Sequence, residues 1–140
     1  MITTPAIPSP RIKADDNAPT PLRGPERVDG IVLLAIGFLG TVLTYHAIDW
    51  IAFFILFSII DVVGYLPGVM AARLTGRRQV SAVFVHLYNV THSNAGGLAI
   101  ALIYCLLTPA TAPSTLAIAV HLGIDRGILA NRLKRPGEIF

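Results

Sequence analysis

The chain has 140 residues, 54% of them apolar and only 14% charged, with a mean hydropathy of +0.66. Soluble domains usually carry about a quarter charged residues, so a water-solvated globule is excluded as the main architecture. The formal net charge of +3 sits in a few segments and speaks of anionic headgroups rather than nucleic acid.

Residues Met1 to Asp29 hold six of the ten prolines, interleaved with small and charged residues. No apolar stretch there is long enough for a signal-peptide core, and a disordered cytoplasmic tail is predicted over 1–29. Pro5-Ala-Ile-Pro8 reads as solvated leader rather than as a polyproline ligand. Ile31 to Ile48 is apolar apart from Thr41, Thr44 and His46, and at about 1.5 Å per residue it covers about 27 Å, close to the hydrocarbon thickness of a bilayer. This is the first crossing, about 31–48. Gly37 and Gly40 permit close packing, and His46, Asp49 and Trp50 mark the far interface, where an indole belongs.

A connection as short as Asp49-Trp50 forces the second helix, about 50–70, to run back antiparallel. Asp61 lies inside it. Gly64 and Gly68, at i+3 and i+7, share its face and allow a neighbouring helix to approach the carboxylate, while Tyr65 at i+4 is within hydrogen-bonding reach. Pro67 should kink or end the helix, and Met70 to Arg78 forms a basic loop.

The segment 80–107 is longer than a crossing requires and changes from polar-striped to plain apolar near Asn94-Ala-Gly-Gly97. One long tilted helix with a soft point is the preferred reading over a broken helix. On it His86, Asn89 and His92 occupy an arc of about 120°, with Tyr88 just outside. After Thr108 to Pro113, Ser114 or Thr115 is a suitable cap for a fourth helix, 114–134, which Pro136-Gly137 stops. Ser114, Ala117, His121 and Asp125 form one stripe on it. Cys105, the only cysteine, reads as a small buried hydrophobe.

These elements predict an all-α fold: an integral membrane four-helix bundle over 30–135 behind the tail. With four crossings, every Lys and Arg except Arg126 falls on one side, so both termini of a multi-pass protein of the cytoplasmic membrane should be cytoplasmic.

Ionisable groups inside lipid are expensive and mark functional sites. Asp61, His86, His92, His121 and Asp125 are the candidate catalytic residues, with Tyr65, Tyr88, Asn89 and Arg126 as candidate substrate contacts. His121 and Asp125 at i,i+4, joined by His86, form a donor set that a divalent metal could use, and the same groups suit acid-base chemistry. Arg126 is either a counter-ion within the site or a headgroup contact. The bland alternative is helix glue, worth about 0.6 kcal/mol per interhelical hydrogen bond. That is a poor return for burying two carboxylates.

His121-Leu-Gly-Ile-Asp-Arg126, together with Asp61-Val-Val-Gly64-Tyr65 and the His86-x-Tyr88-Asn89 helix, resembles a domain-of-unknown-function family of small bacterial integral membrane proteins with a His-x-Gly-x-Asp-Arg element near the C-terminus. The similarity covers about Trp50 to Lys134. It implies four helices and a shared polar site, and it supplies no reaction.

The functional expectation is an intramembrane acid-base or metal-assisted enzyme acting on a lipophilic small molecule. The alternative is a proton-coupled transporter or an accessory subunit, working as a homo-oligomer or within a larger membrane complex.

Overall fold

Apolar segments in lipid must satisfy their own backbone groups, and helices, which do so, make up nearly all of the described residues. The computed structural model describes residues 24–76 and 80–134, with no strand among them. Helix α1 (Gly24–Thr44) ends in the 3-10 turn Tyr45–Ala47. It is followed by α2 (Trp50–Gly64), α3 (Leu66–Thr75), α4 (Ala82–Thr91) and α5 (Asn94–Leu107). A 3-10 stretch, Pro109–Thr115, leads into α6 (Leu116–Gly123), which runs into a π-helical turn, Ile124–Ile128.

Two stretches, Gly24–Ala47 and Trp50–Thr75, are long and apolar enough to cross a membrane, and α4 with α5 makes a third if the bent pair is one span. Their outward faces stay apolar: Phe38, Leu43, Ile51, Phe54 and Leu106 are all exposed. Helix α6 is the opposite case. It is short, and Ala117, Ile118, His121 and Leu122 on it are buried against α1, α2 and α5. With Ile48, Phe53, Leu56 and Ile60 its apolar residues make the core.

The approach of α1 to α6 depends on missing side chains. A Cβ on Gly123 would lie 2.5 to 2.7 Å from the backbone and Cβ of Leu34, so α6 rests directly on the α1 backbone there. Small residues that let backbones meet are the usual means of joining helices in lipid, where burial in water gives no drive.

Several boundaries differ from expectation. The tail predicted over 1–29 yields its last six residues to α1, and 1–23 lie outside the described residues. The second helix is interrupted at Tyr65, with Pro67 in the first turn of α3, where its missing N–H costs nothing. Of the basic loop, Met70–Thr75 is helical, while Arg77 and Arg78 are outside the described residues.

The third segment is not one tilted helix, because α4 and α5 meet at 64°. The break falls at His92-Ser93, just before the expected soft point. Ser93 makes it tenable, accepting from Gly96 N–H at 2.9 Å while its hydroxyl donates to the Val90 carbonyl at 2.9 Å. The fourth helix stops at Ile128. Ala130, at φ 55°, turns the chain back, and Lys134 pairs with Asn89 on α4.

Neither Ser114 nor Thr115 caps α6. Ser114 is wholly buried and clamps the α1–α2 connection, its hydroxyl donating to the Asp49 carbonyl at 3.0 Å and accepting from the Asp49 N–H at 3.1 Å. Asp49 in turn caps α2, accepting from the N–H groups of Ile51 and Ala52. Ser114→Ala would strand two backbone groups, so a loss of about 1–3 kcal/mol is expected in thermal or denaturant unfolding in detergent. Thr115→Ala, whose hydroxyl donates only to the Ala112 carbonyl, should cost less.

Candidate functional site

Three local features bring the site together. On α2, Asp61 is followed one turn later by Gly64, and the missing side chain lets the end of α4 settle onto α2. A Cβ at Gly64 would collide with Thr91 Oγ1 and come within 3.1 Å of the His92 ring. At the break after α4, His92 leaves the helix axis and turns its ring toward Asp61. On α6, His121 and Asp125 stand one turn apart, the second inside the π turn. Such turns occur often at functional sites, since the extra residue re-aims a side chain.

The result is a ring of four groups. His92 Nε2 lies 3.2 Å from Asp61 Oδ1 and 3.6 Å from Asp125 Oδ2. His121 Nε2 lies 3.8 Å from Asp61 Oδ1 and 3.6 Å from Asp125 Oδ2. Asp61, His92 and His121 each offer one ligand atom, all within 4.8 Å of one another, so they could hold a metal ion.

The four groups are unequally covered. The imidazoles of His92 and His121 are 5% and 4% exposed and Asp125 is 15%, whereas Asp61 is 52% exposed. The site is therefore closed on three sides and open along the outer face of α2.

The rings are held in different ways. His92 Nδ1–H donates to the Tyr88 carbonyl at 3.0 Å and lies 3.0 Å from Thr91 Oγ1, while the Tyr88 ring stacks on it at 4.0 Å. A carbonyl can only accept, so Nδ1 carries the proton and Nε2 points at the carboxylates. His121 packs edge to face against Phe57 at 4.8 Å, and both of its ring nitrogens are buried without a hydrogen-bond partner.

The remaining candidates stand outside the ring of four. His86 lies on the exposed side of α4, because six residues at about 100° each leave it about 120° around the helix from His92. Tyr88 supports His92, and Tyr65 meets Tyr88 edge-on at 6.3 Å. Asn89 is engaged with the backbone of Lys134 on both sides of its amide.

Arg126 donates to the Asn94 side chain at 2.6 Å and to the His92 carbonyl, one of the groups freed by the α4–α5 break. It joins the π turn to that break. Arg126→Met should remove about 1.5–3 kcal/mol of charge-assisted bonding from this joint. Amide exchange over 93–97 is expected to rise while α1 and α2 stay protected.

Sequence reasoning did not single out Thr91, Phe57 or Asn131. Asn131 donates to Asp125 Oδ1 at 3.2 Å across the turn at Ala130, a contact that no helical periodicity would reveal. The chain thus combines apolar helices of membrane-crossing length with a His/Asp cluster able to hold a metal ion. Comparison with protein-family models, with curated proteins and with solved structures finds no match, so the reading of this cluster rests on its own geometry.

Proposed function

We propose that this chain is a multi-pass protein of the cytoplasmic membrane, crossing four times with both termini cytoplasmic, and that it is an enzyme acting on a lipophilic small molecule. Asp61, His92, His121 and Asp125 perform acid-base or metal-assisted chemistry at membrane depth. The similarity to the His-x-Gly-x-Asp-Arg family belongs to the same proposal.

The fourth crossing in this proposal is the stretch 109–128, a 3-10 part kinked at Thr111 followed by α6 and the π turn.

The observation that carries the reading is the convergence of two carboxylates and two imidazoles from three separate segments on one point among apolar helices. Helix glue would be served by a single hydrogen-bonded pair. Two carboxylates in unequal settings, one enclosed beside Asn131 and one half-exposed, can divide the roles of proton donor and acceptor. The opening beside Asp61 is bordered by exposed Val62 and Leu66, so a molecule dissolved in the bilayer meets the carboxylate without crossing the headgroups.

The test is reconstitution of the protein into bilayers of total bacterial lipid extract, with mass spectrometry of the lipids. The expected result is a species consumed by the wild type and spared by Asp125→Asn. No chemical change, with flux of a solute across the same vesicles, would favour transport instead. The half-exposed Asp61 also favours a second reading, an accessory subunit whose partner covers that face; stable co-purification with a larger complex would decide for it.

A further inference from the structure

The geometry points to a single divalent transition-metal ion, with zinc as the best fit, bound by three protein atoms, His92 Nε2, His121 Nε2 and Asp61 Oδ1, with a water completing the four and Asp125 Oδ2, 3.6 Å from both nitrogens, as the carboxylate beside them. The inference deepens the reading above by naming the cofactor of the same site, and it rests on that reading only for what the metal would be used for.

The first argument is metric. Zinc bonds to imidazole nitrogen and carboxylate oxygen are about 2.0–2.1 Å, so neighbouring ligand atoms of a tetrahedral site stand about 3.3–3.4 Å apart. Asp61 Oδ1 stands 3.2 Å from His92 Nε2 and 3.8 Å from His121 Nε2, and Asp61, His92 and His121 offer ligand atoms that all lie within 4.8 Å of one another, a group to which Asp125 does not belong. Proton sharing would give another pattern. An N–H donates well to one acceptor at about 2.9 Å and leaves the other behind; His92 Nε2 is within hydrogen-bonding distance of Asp61 at 3.2 Å, but His121 Nε2 stands nearly equidistant from two carboxylates and bonds to neither.

The second argument is the state of the rings. The Tyr88 carbonyl holds His92 through Nδ1 and leaves Nε2 facing Asp61 at 3.2 Å, free to serve as a ligand atom. Backbone-carbonyl support for the far nitrogen is the outer-sphere arrangement typical of metal-bound histidine. His121, 4% exposed with no partner for Nε2, is a buried polar group that a metal ion would satisfy.

The third argument is charge. Largely enclosed Asp125 and half-exposed Asp61 face the same two imidazoles, and a divalent cation offsets the negative charge of both. Mixed imidazole and carboxylate donors suit zinc and leave iron or manganese as competitors, and they exclude the soft thiolate metals. Asn131 on Asp125 and the Tyr88 carbonyl on His92 are the positioning groups.

The test uses the full chain purified in detergent, stripped with chelator and reloaded with zinc or cobalt(II) alone. One metal per chain is expected, and cobalt should give the intense visible bands of tetrahedral coordination. His121→Gln and Asp61→Asn should each weaken binding at least about 100-fold, and Asp125→Asn, which removes a neighbouring charge and no ligand atom, about 10–100-fold. His46→Ala, at the far end of α1, should bind as the wild type does.

Folding of each variant is checked by helical circular dichroism and gel filtration. Asn131→Ala, which touches no ligand atom of either ring, provides a milder variant that should cost about 10-fold. Folded wild type that binds no metal, or cobalt spectra unchanged in all the ligand variants, would overturn the assignment. Tight metal binding without lipid turnover would keep the metal site and remove the enzyme reading. Turnover that survives chelation yet is lost in Asp125→Asn would do the reverse.

Discussion

Gly64→Ala is expected to disable the site without altering any of its four polar side chains. The added methyl would occupy the position of Thr91 Oγ1 and press on the His92 ring. Thr91 cannot swing aside freely, because its hydroxyl is engaged with the Leu87 and Tyr88 carbonyls at 3.1 Å each. Relief must come from moving the end of α4, and that carries His92 away from Asp61.

Overpacking of this kind costs about 1–3 kcal/mol. Since each factor of ten in an equilibrium is about 1.4 kcal/mol, cobalt affinity should fall about 5- to 150-fold, with a lower unfolding temperature. An alanine variant with wild-type stability and an unchanged cobalt spectrum would mean that α4 does not rest on α2 at this point.

The second large effect is expected from Asp125→Asn. The substitution keeps size and keeps a partner for Asn131, but removes the negative charge that faces both imidazoles. If Asp125 serves as the enclosed proton donor or acceptor, turnover of the lipophilic substrate should fall about 10²–10⁴-fold, the usual contribution of a positioned acid or base. Asp61→Asn should also lose turnover. Because Asp61 is half-exposed, part of its role can pass to water, and its loss should be the smaller of the two. Mass-spectrometric rates for the two variants in the same vesicles test the order. Equal, wild-type rates would remove both carboxylates from the chemistry.

The sites of these predictions were legible in the sequence to different degrees. Asp61, His121 and Asp125 stood out because each is ionisable within an apolar run, and periodicity placed Ser114, Ala117 and His121 on the stripe that is in fact buried. The glycine after Asp61 was read for what it does, since only a bare backbone admits a neighbouring helix so closely.

What escaped was set by irregular backbone. The break at His92-Ser93 depends on one serine hydroxyl serving both flanking helices and on Arg126 reaching the freed carbonyl from a distant segment. Neither contact follows from local propensity. His86 and His92 fell at the two edges of one arc of about 120°, yet only His92, just past the end of α4, is buried, while His86 is exposed. The π turn and the left-handed Ala130 shortened the fourth helix and brought Asn131 onto Asp125, and at Ala130 an alanine takes the backbone conformation that a glycine would have announced.

The binding of one ion by His92, His121 and Asp61 is tested most directly by X-ray absorption at the cobalt or zinc edge of the loaded protein in lipid. The account predicts a first shell of two imidazole nitrogens, one carboxylate oxygen and one water oxygen at about 2.0–2.1 Å, with the imidazole scattering halved in His121→Gln. A shell of water oxygens alone, or imidazole scattering unchanged in that variant, would contradict it.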